Sequence, residues 1–470
     1  MDKPFIDAAK PAVVPGLHPD FQPAVLWNRA FRQTAVPSAG AVPLVIGLER
    51  ADGSLSRYET AIFPRSHDLF EPGLRYAERL VKSLLWMWGG YKVFVGGPPE
   101  AGEFLKTAYG RKGSRRFDAE LMSTAYDKKF VVEAVTPEAV PAANEKTRPL
   151  GRHLDGCRIG FDLGASDRKV SAVLEGETVF SEEVPWDPRN QADPAYHYHQ
   201  IMSGLHQAAS RLPRVDAIGG SAAGIYIDNR AMVASLFRAI PKPVFKKAIR
   251  PIFLRMKKAW KVPFEVVNDG EVTALAGSMS LNANCVLGIA LGSSQAGGYV
   301  NDKGNITGWL NELAFVPVDY HPAAPVDEWS GDGGCGVQYF SQQAVFRLAE
   351  AAGIKLEDSL PAVDKLKTVQ DLLARGDGRA LRIFETIGVY LGYGIAHYAD
   401  YYDVANVLIL GRVTSGEAGP LIQARALEVL RLEFPGLAAR LSLHLPDEKS
   451  RRVGQAVAAA SLPAIRPQAE

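Results

Sequence analysis

Cysteine is scarce in this 470-residue chain: Cys157, Cys285 and Cys335 are all there is, far apart and with no CxxC pair. That excludes a disulfide scaffold or a cysteine-rich zinc site, and suits a reducing cytoplasm. Long apolar runs are lacking too. Stretches such as LLWMWGG (84–90) fall far short of the ~20 residues needed to cross a bilayer. The opening MDKPFIDAAKPAVVPG has no basic region followed by an apolar run, so no secretory signal is expected. Nor is charge of either sign in excess. Lys and Arg total 53 against 52 Asp and Glu, a net charge of +1, which gives no general attraction for nucleic acid or an anionic membrane. The expectation is a cytoplasmic protein with no membrane span and no nucleic-acid partner.

What is present points to an α/β protein of more than one domain. At 470 residues the chain is too long for one ordinary core, and 47% hydrophobic residues supply cores of normal size. Residues 1–40, rich in Pro and Ala, read as an irregular arm. PLVIGLE (43–49), RYETAIF (57–63), YKVFVGG (91–97) and KFVVEAV (129–135) read as strands, with helices over 73–88 and from PPEAGEFLKTAY. TPEAVPAANEKTRPLG (136–151) is polar, has three prolines and reads as a linker. Beyond it, apolar strands such as VDAIGG (215–220), FEVVND (264–269), CVLGIALGSS (285–294) and VANVLILG (404–411) each end in small or acidic residues. Such ends expose chemistry at the edge of a packed sheet.

Three segments carry candidate chemistry. FDLGASDRK (161–169) puts Asp162 at a strand end beside Gly164, with Ser166, Asp167 and Lys169 in the turn; the pattern fits a phosphate loop with an acidic residue for Mg²⁺, or equally a tight hairpin. GIALGSSQAGGYV (288–300) offers Gly292, Ser293, Ser294, Gly297 and Gly298 to a phosphate, or is simply a glycine-rich hairpin; it contains neither GxxxxGK[ST] nor GxGxxG. In VVNDGEVTALAG (266–277), Asp269 can take a proton from an alcohol that Asn268 positions, or can cap the helix that follows.

Taken in order, these segments resemble the ROK family of sugar kinases and sugar-responsive regulators, within the actin, Hsp70 and hexokinase superfamily. The resemblance runs through GFDLGASDRK (160–169), DAIGGSAAGIYID (216–228), VVNDGEVTALAG, GIALGSSQAGG (288–298), TGWLNELAFVPVD (307–319), GDGGCGVQYFSQQAV (331–345), VLILGRV (407–413) and VGQAVAAA (453–460). It implies a two-lobed, actin-like (ribonuclease H-like) α/β ATPase fold with a nucleotide cleft between lobes. The implied first lobe is 151–275 and the second 276–470, with the C-terminal helix returning to the first; residues 1–150 form an added α/β extension of unknown role. It further implies ATP and Mg²⁺ as cofactors, a sugar or polyol substrate and a homodimer. Asp162, Gly164, Ser166 and Lys169 fall in the first phosphate loop, with Mg²⁺ on Asp162, directly or through water. Gly292, Ser293, Ser294, Gly297 and Gly298 fall in the second, and Gly411 beside adenosine. Gly220, Ser221, Asn268 and Glu312 would bind substrate, with Asp269 as catalytic base.

The departures lie on the sugar side. Phe315 stands where the family has a His that contacts sugar and binds zinc. The cysteine-rich stretch is reduced to Cys335 and Gly336, with Tyr339, Phe340 and Gln342 at its later positions, so no structural zinc is expected. Arg412 replaces a glycine beside the adenosine position. Two functions follow: an ATP-dependent carbohydrate kinase, or a non-catalytic ATP- or sugar-binding regulator or scaffold. The basic stretch 242–261 reads as a solvated helix, RKGSRR (111–116) as a loop, and His197 and His199 as ordinary histidines.

Overall fold

The computed structural model describes residues 9–145, 150–446 and 448–465. Residues 1–8 of the N-terminal arm and 146–149 of the expected linker lie outside the described residues. Contacts divide the chain into two compact units. One comprises the described residues within 1–146, 289–297 and 309–445; the other, those within 147–288, 298–308 and 446–470.

In the first unit, β1 (Val42–Glu49) turns back as β2 (Leu55–Ile62) through Gly53. β3 (Lys92–Gly96) pairs antiparallel with β1, and β4 (Val131–Val135) parallel with β3, giving the order β2-β1-β3-β4. Helices span Phe70–Trp88, Pro99–Ala108 and Arg116–Tyr126. Residues 1–40 are not simply irregular, because a helix covers Ala24–Ala35. Its chain is stitched to residues of high number: the Ala24 amide donates to the Val318 carbonyl (2.9 Å) and the Tyr320 amide to the Gln22 carbonyl (2.9 Å). Phe21 packs its ring on Tyr339, Tyr390 and Tyr393, and Arg29 and Arg32 both bind the Asp400 carboxylate. The N-terminal segment therefore shares a core with residues 309–445.

The second unit is built on a five-stranded sheet of order β11-β8-β5-β6-β7. Its strands are β5 (Cys157–Leu163), β6 (Asp167–Leu174), β7 (Glu177–Pro185), β8 (Ala217–Ala222) and β11 (Phe264–Asn268). A short hairpin, β9 (Ile225–Ile227) with β10 (Arg230–Val233), follows β8. Phe161, Ile201, Leu205, Phe253, Met256 and Phe264 are among the residues of the core on one face. The helix Glu448–Ala460 packs on β5 and on the helix Asp269–Leu281. Arg158, buried, donates to the Pro463 carbonyl (2.7 Å) and so fixes the chain that leaves that helix. The basic stretch 242–261 is not one helix. A π-type turn over Phe245–Ile249 gives way at Pro251 to a helix over Ile252–Trp260, since proline lacks the amide that would continue the first segment. Most of a further sheet belongs to the first unit: it has the order β13-β12-β14-β15, from β12 (Val286–Leu291), β13 (Gln295–Val300), β14 (Asn406–Leu410) and β15 (Ser442–His444).

Candidate functional site

Strand register decides which side chains share a face. Asp162 on β5 lies opposite Ser221 on β8 and Lys169 on β6, and Lys169 lies opposite Glu183 on β7. Directly opposed residues point to the same side of a sheet. Ser221, Asp162, Lys169 and Glu183 therefore form one polar row across four strands. The Ser221 hydroxyl donates to Asp162 Oδ1 at 2.7 Å, and Lys169 Nζ lies 3.5 Å from Asp167 Oδ1 and 3.9 Å from Glu183 Oε2. Burial pushes the Asp162 carboxyl above the ordinary range, and neither the Ser221 hydroxyl nor Lys169 fully offsets it.

One strand over, β11 ends at Asn268 and the helix Asp269–Leu281 begins. Asn268 is the cap: its Oδ1 accepts the Gly270 amide (2.7 Å), while its Nδ2 donates to the Gly224 carbonyl (2.8 Å). Asp269, next along, is half-buried and also accepts the Gly270 amide, at 3.0 Å. Burial first, and then the nearby Asp162 charge, push its carboxyl up to about 6, against the lowering effect of the Gly270 amide. The capping role left open in the sequence belongs chiefly to Asn268.

The remaining expected residues divide as follows. Gly220 sits in the alternate row of β8, facing Phe161 on β5, and a Cβ there would lie 2.1 Å from the Phe161 ring. Packing accounts for that glycine. Ser166 is exposed and donates to Asp167 Oδ2 (3.0 Å), while the Gly164 amide is taken by the Asp167 carbonyl (3.0 Å). Gly292, Ser293 and Ser294 form the turn of the β12–β13 hairpin, with both serines exposed. The Gly292 amide donates to the Ser294 carbonyl (3.0 Å), and the Gly292 carbonyl accepts the Gln342 amide (2.9 Å). Gly297 approaches Leu313 and the Asn311 carbonyl. Gly411 follows β14 at φ +107°, where a Cβ would lie 2.3 Å from the Leu291 carbonyl oxygen. Arg412 is exposed. Glu312 is half-buried, its amide donating to the Trp86 carbonyl (2.9 Å).

Gly298 matters for a different reason. A Cβ there would come within 2.0 Å of the Gly270 carbonyl, directly under the first turn of the helix that carries Asp269. Gly298→Ala is thus expected to cost about 1–3 kcal/mol of stability in urea denaturation, since backbone must move to admit the methyl.

Two groups near Asp269 and in the polar row were not legible in the sequence. Tyr226 on β9 feels the Asp269 charge, which, after burial, raises its phenol above the ordinary range; its hydroxyl donates to the Ala223 carbonyl (3.1 Å). Glu183 joins the row only through the register of two successive hairpins. The positions aligned by resemblance with the family's zinc-binding stretch are otherwise engaged. Phe315 stacks on Trp86 with centroids 4.2 Å apart, Tyr339 donates to Asp319 Oδ2 (2.6 Å), and Cys335 is buried beside Ala314 and Val337. Among the described residues, no group of three or more His, Cys, Asp or Glu is arranged to hold a metal ion. His197 is buried, with its ring nitrogens against the Asp193 and Pro188 carbonyls. No helix among them is long and apolar enough to cross a membrane.

No family model matches the sequence. Over 278 residues the chain is 28% identical to a glucokinase of Halalkalibacterium halodurans, which covers 54% of this chain and 80% of that enzyme. The structure resembles a ROK hexokinase from Thermus thermophilus, with a TM-score of 0.51 and 20% identity, covering 64% of this chain and 97% of the hexokinase. It also resembles a ROK family transcriptional regulator, a homologue of the E. coli MLC protein, with a TM-score of 0.53 and 19% identity, covering 69% of this chain and 82% of the regulator. The fold is that of ROK proteins. That fold is common to a kinase and a regulator alike, so it does not choose between them.

Proposed function

We propose that the chain is an ATP-dependent phosphotransferase that moves the γ-phosphate to a hydroxyl of a sugar or sugar-like acceptor. The observation that carries the proposal is Asp269: a half-buried carboxylate beside Asp162, its pKa pushed up to about 6, with the capping of its helix left to Asn268. A base poised near neutrality suits removal of a proton from an alcohol. In this reading Asn268, Ser221 and Glu312 orient the acceptor. As the acceptor oxygen bonds to the γ-phosphorus, its proton passes to Asp269, and the bond between the γ-phosphorus and the bridging oxygen breaks to release ADP. Asp269 then returns the proton to solvent.

By the resemblance, Asp162 and Lys169 would serve the phosphates. Asp162 is suited to hold Mg²⁺ through water, because a neighbouring cation would offset the burial that disfavours its charge. The ion would neutralise phosphate charge. The glucokinase and hexokinase likenesses favour a hexose as the acceptor.

A second reading, a non-catalytic ATP- or sugar-binding regulator or scaffold, draws on Phe315. Its ring is committed to Trp86 at the position where the resemblance expects a sugar-contacting His.

The deciding experiment incubates the full chain with Mg-ATP and a panel of hexoses, amino sugars and polyols, and reads products by mass spectrometry. A new sugar phosphate is expected, absent with Asp269→Asn. Tight ATP binding with no phosphorylated acceptor would favour the regulator.

A further inference from the structure

The helix Phe70–Trp88 ends against the loop that carries Glu312. Gly89, at φ +79°, stops the helix, so the carbonyls of its last turn need partners outside it. Two find them in this loop. The Met87 carbonyl accepts the Asn311 amide and the Trp86 carbonyl the Glu312 amide, both at 2.9 Å. Asn311 sits at φ +54°, a costly conformation for a residue other than glycine, and its side chain is fixed by the Tyr402 hydroxyl (3.0 Å). The side chains repeat the pattern. Trp88 packs on Trp309 (5.4 Å) at one end of the loop, and Trp86 stacks on Phe315 (4.2 Å) at the other. Trp86 is fully buried and donates its indole N–H to Asp118 Oδ1 (3.0 Å), which Lys82 also holds (3.2 Å).

We infer that Trp86 is a positioning residue for the acceptor site: through its carbonyl and its stacked ring, the N-terminal segment sets where Glu312 stands. This rests on the proposed role of Glu312 in binding the acceptor. It assigns the end of the helix Phe70–Trp88 a part in acceptor recognition, beyond packing.

The test uses calorimetric titration of the full chain with D-glucose, D-mannose and N-acetyl-D-mannosamine, and separately with Mg-ATP. The variants are Glu312→Gln, Trp86→Leu, Trp86→Phe and the Glu312→Gln/Trp86→Leu double. Leu105→Ala, a fully buried truncation elsewhere in the N-terminal segment, controls for general destabilisation. Glu312→Gln and Trp86→Leu are each expected to weaken binding of the sugar that the wild type takes by about tenfold, with ATP binding unchanged. Trp86→Phe, which keeps the stacked ring, should stay within about twofold, and the double variant should be no weaker than either single one. Wild-type sugar affinity in Trp86→Leu overturns the inference alone. So does a loss that multiplies with that of Glu312→Gln, or one that Leu105→Ala reproduces. An unchanged Glu312→Gln, or a wild type that binds none of the sugars, overturns the acceptor reading and the inference with it.

Discussion

Asp269→Asn is expected to slow phosphoryl transfer by about 10²–10⁴-fold while leaving ATP affinity nearly unchanged. The amide matches the carboxylate in shape and can still accept the Gly270 amide, so the loss isolates proton transfer. Because the carboxyl is raised to about 6, the wild-type rate should fall about tenfold per pH unit below about pH 6 and level off above it. Stability should move the other way. A carboxyl with a higher pKa in the folded chain than in the unfolded one binds more protons when folded. Stability is therefore lost as pH rises from the unfolded pKa near 3.9, through the folded value near 6. Asp269→Asn removes that burden and should raise stability at pH 8 by about 1–2 kcal/mol, discounted for the partial exposure of the group. Paired rate and urea-denaturation measurements on the two proteins check both signs. An inactive variant that is also less stable would argue for a structural role instead.

Lys82→Met carries the second large effect, in stability. Lys82 is fully buried, with Asp118 at 3.2 Å and Asp332 at 3.1 Å, and Arg79 and Arg115 also reach Asp332. Burial opposes the ammonium charge, but the two carboxylates outweigh it and hold its pKa above the ordinary value. Methionine keeps the apolar stem and removes the charge, leaving buried carboxylates short of a partner. The expected cost is about 3–5 kcal/mol, seen as a lower urea midpoint at constant slope. The exposed pair Arg116–Glu120 supplies the contrast, and Arg116→Ala should leave the midpoint in place. The same cluster implies acid sensitivity. Despite its burial, Asp332 is held well below the usual carboxylate range by Lys82, Arg79 and Arg115. Its contribution is full above the unfolded pKa and begins to fade below about pH 5.

Much of the second unit could be read from residues alone, because its strands are short apolar runs that end in Gly, Asn, Asp or Ser. Asp162 and Asp269 were singled out in that way, whereas Ser221 was implied only by the family resemblance. Register was not legible: the row that adds Glu183 depends on how two hairpins align, which no local pattern states. The helix Ala24–Ala35 was hidden by the prolines around it. Pro23 and Pro37 lowered the apparent order of the whole arm, yet they stand where a helix starts and stops. RKGSRR misled in the opposite sense. Residues 111–114 do form a polar loop, but Arg116 opens the helix Arg116–Tyr126 and Arg115 is buried against Glu78 and Asp332, partners reached only in the folded chain. The place of residues 1–145 was illegible for the same reason, since the aromatic partners of Phe21 lie more than 300 positions away.

That separation has a cost in time. During synthesis at about 5–20 residues per second, Phe21 would emerge roughly 15–75 s before its partners Tyr390 and Tyr393. In that interval the N-terminal aromatics have no ring from the later segment to cover them. The core around Phe21 must therefore wait for nearly the whole chain, and ribosome-bound intermediates should be sticky and dependent on chaperones, whereas the β1–β4 sheet and the second unit's β5–β8 strands can pair early.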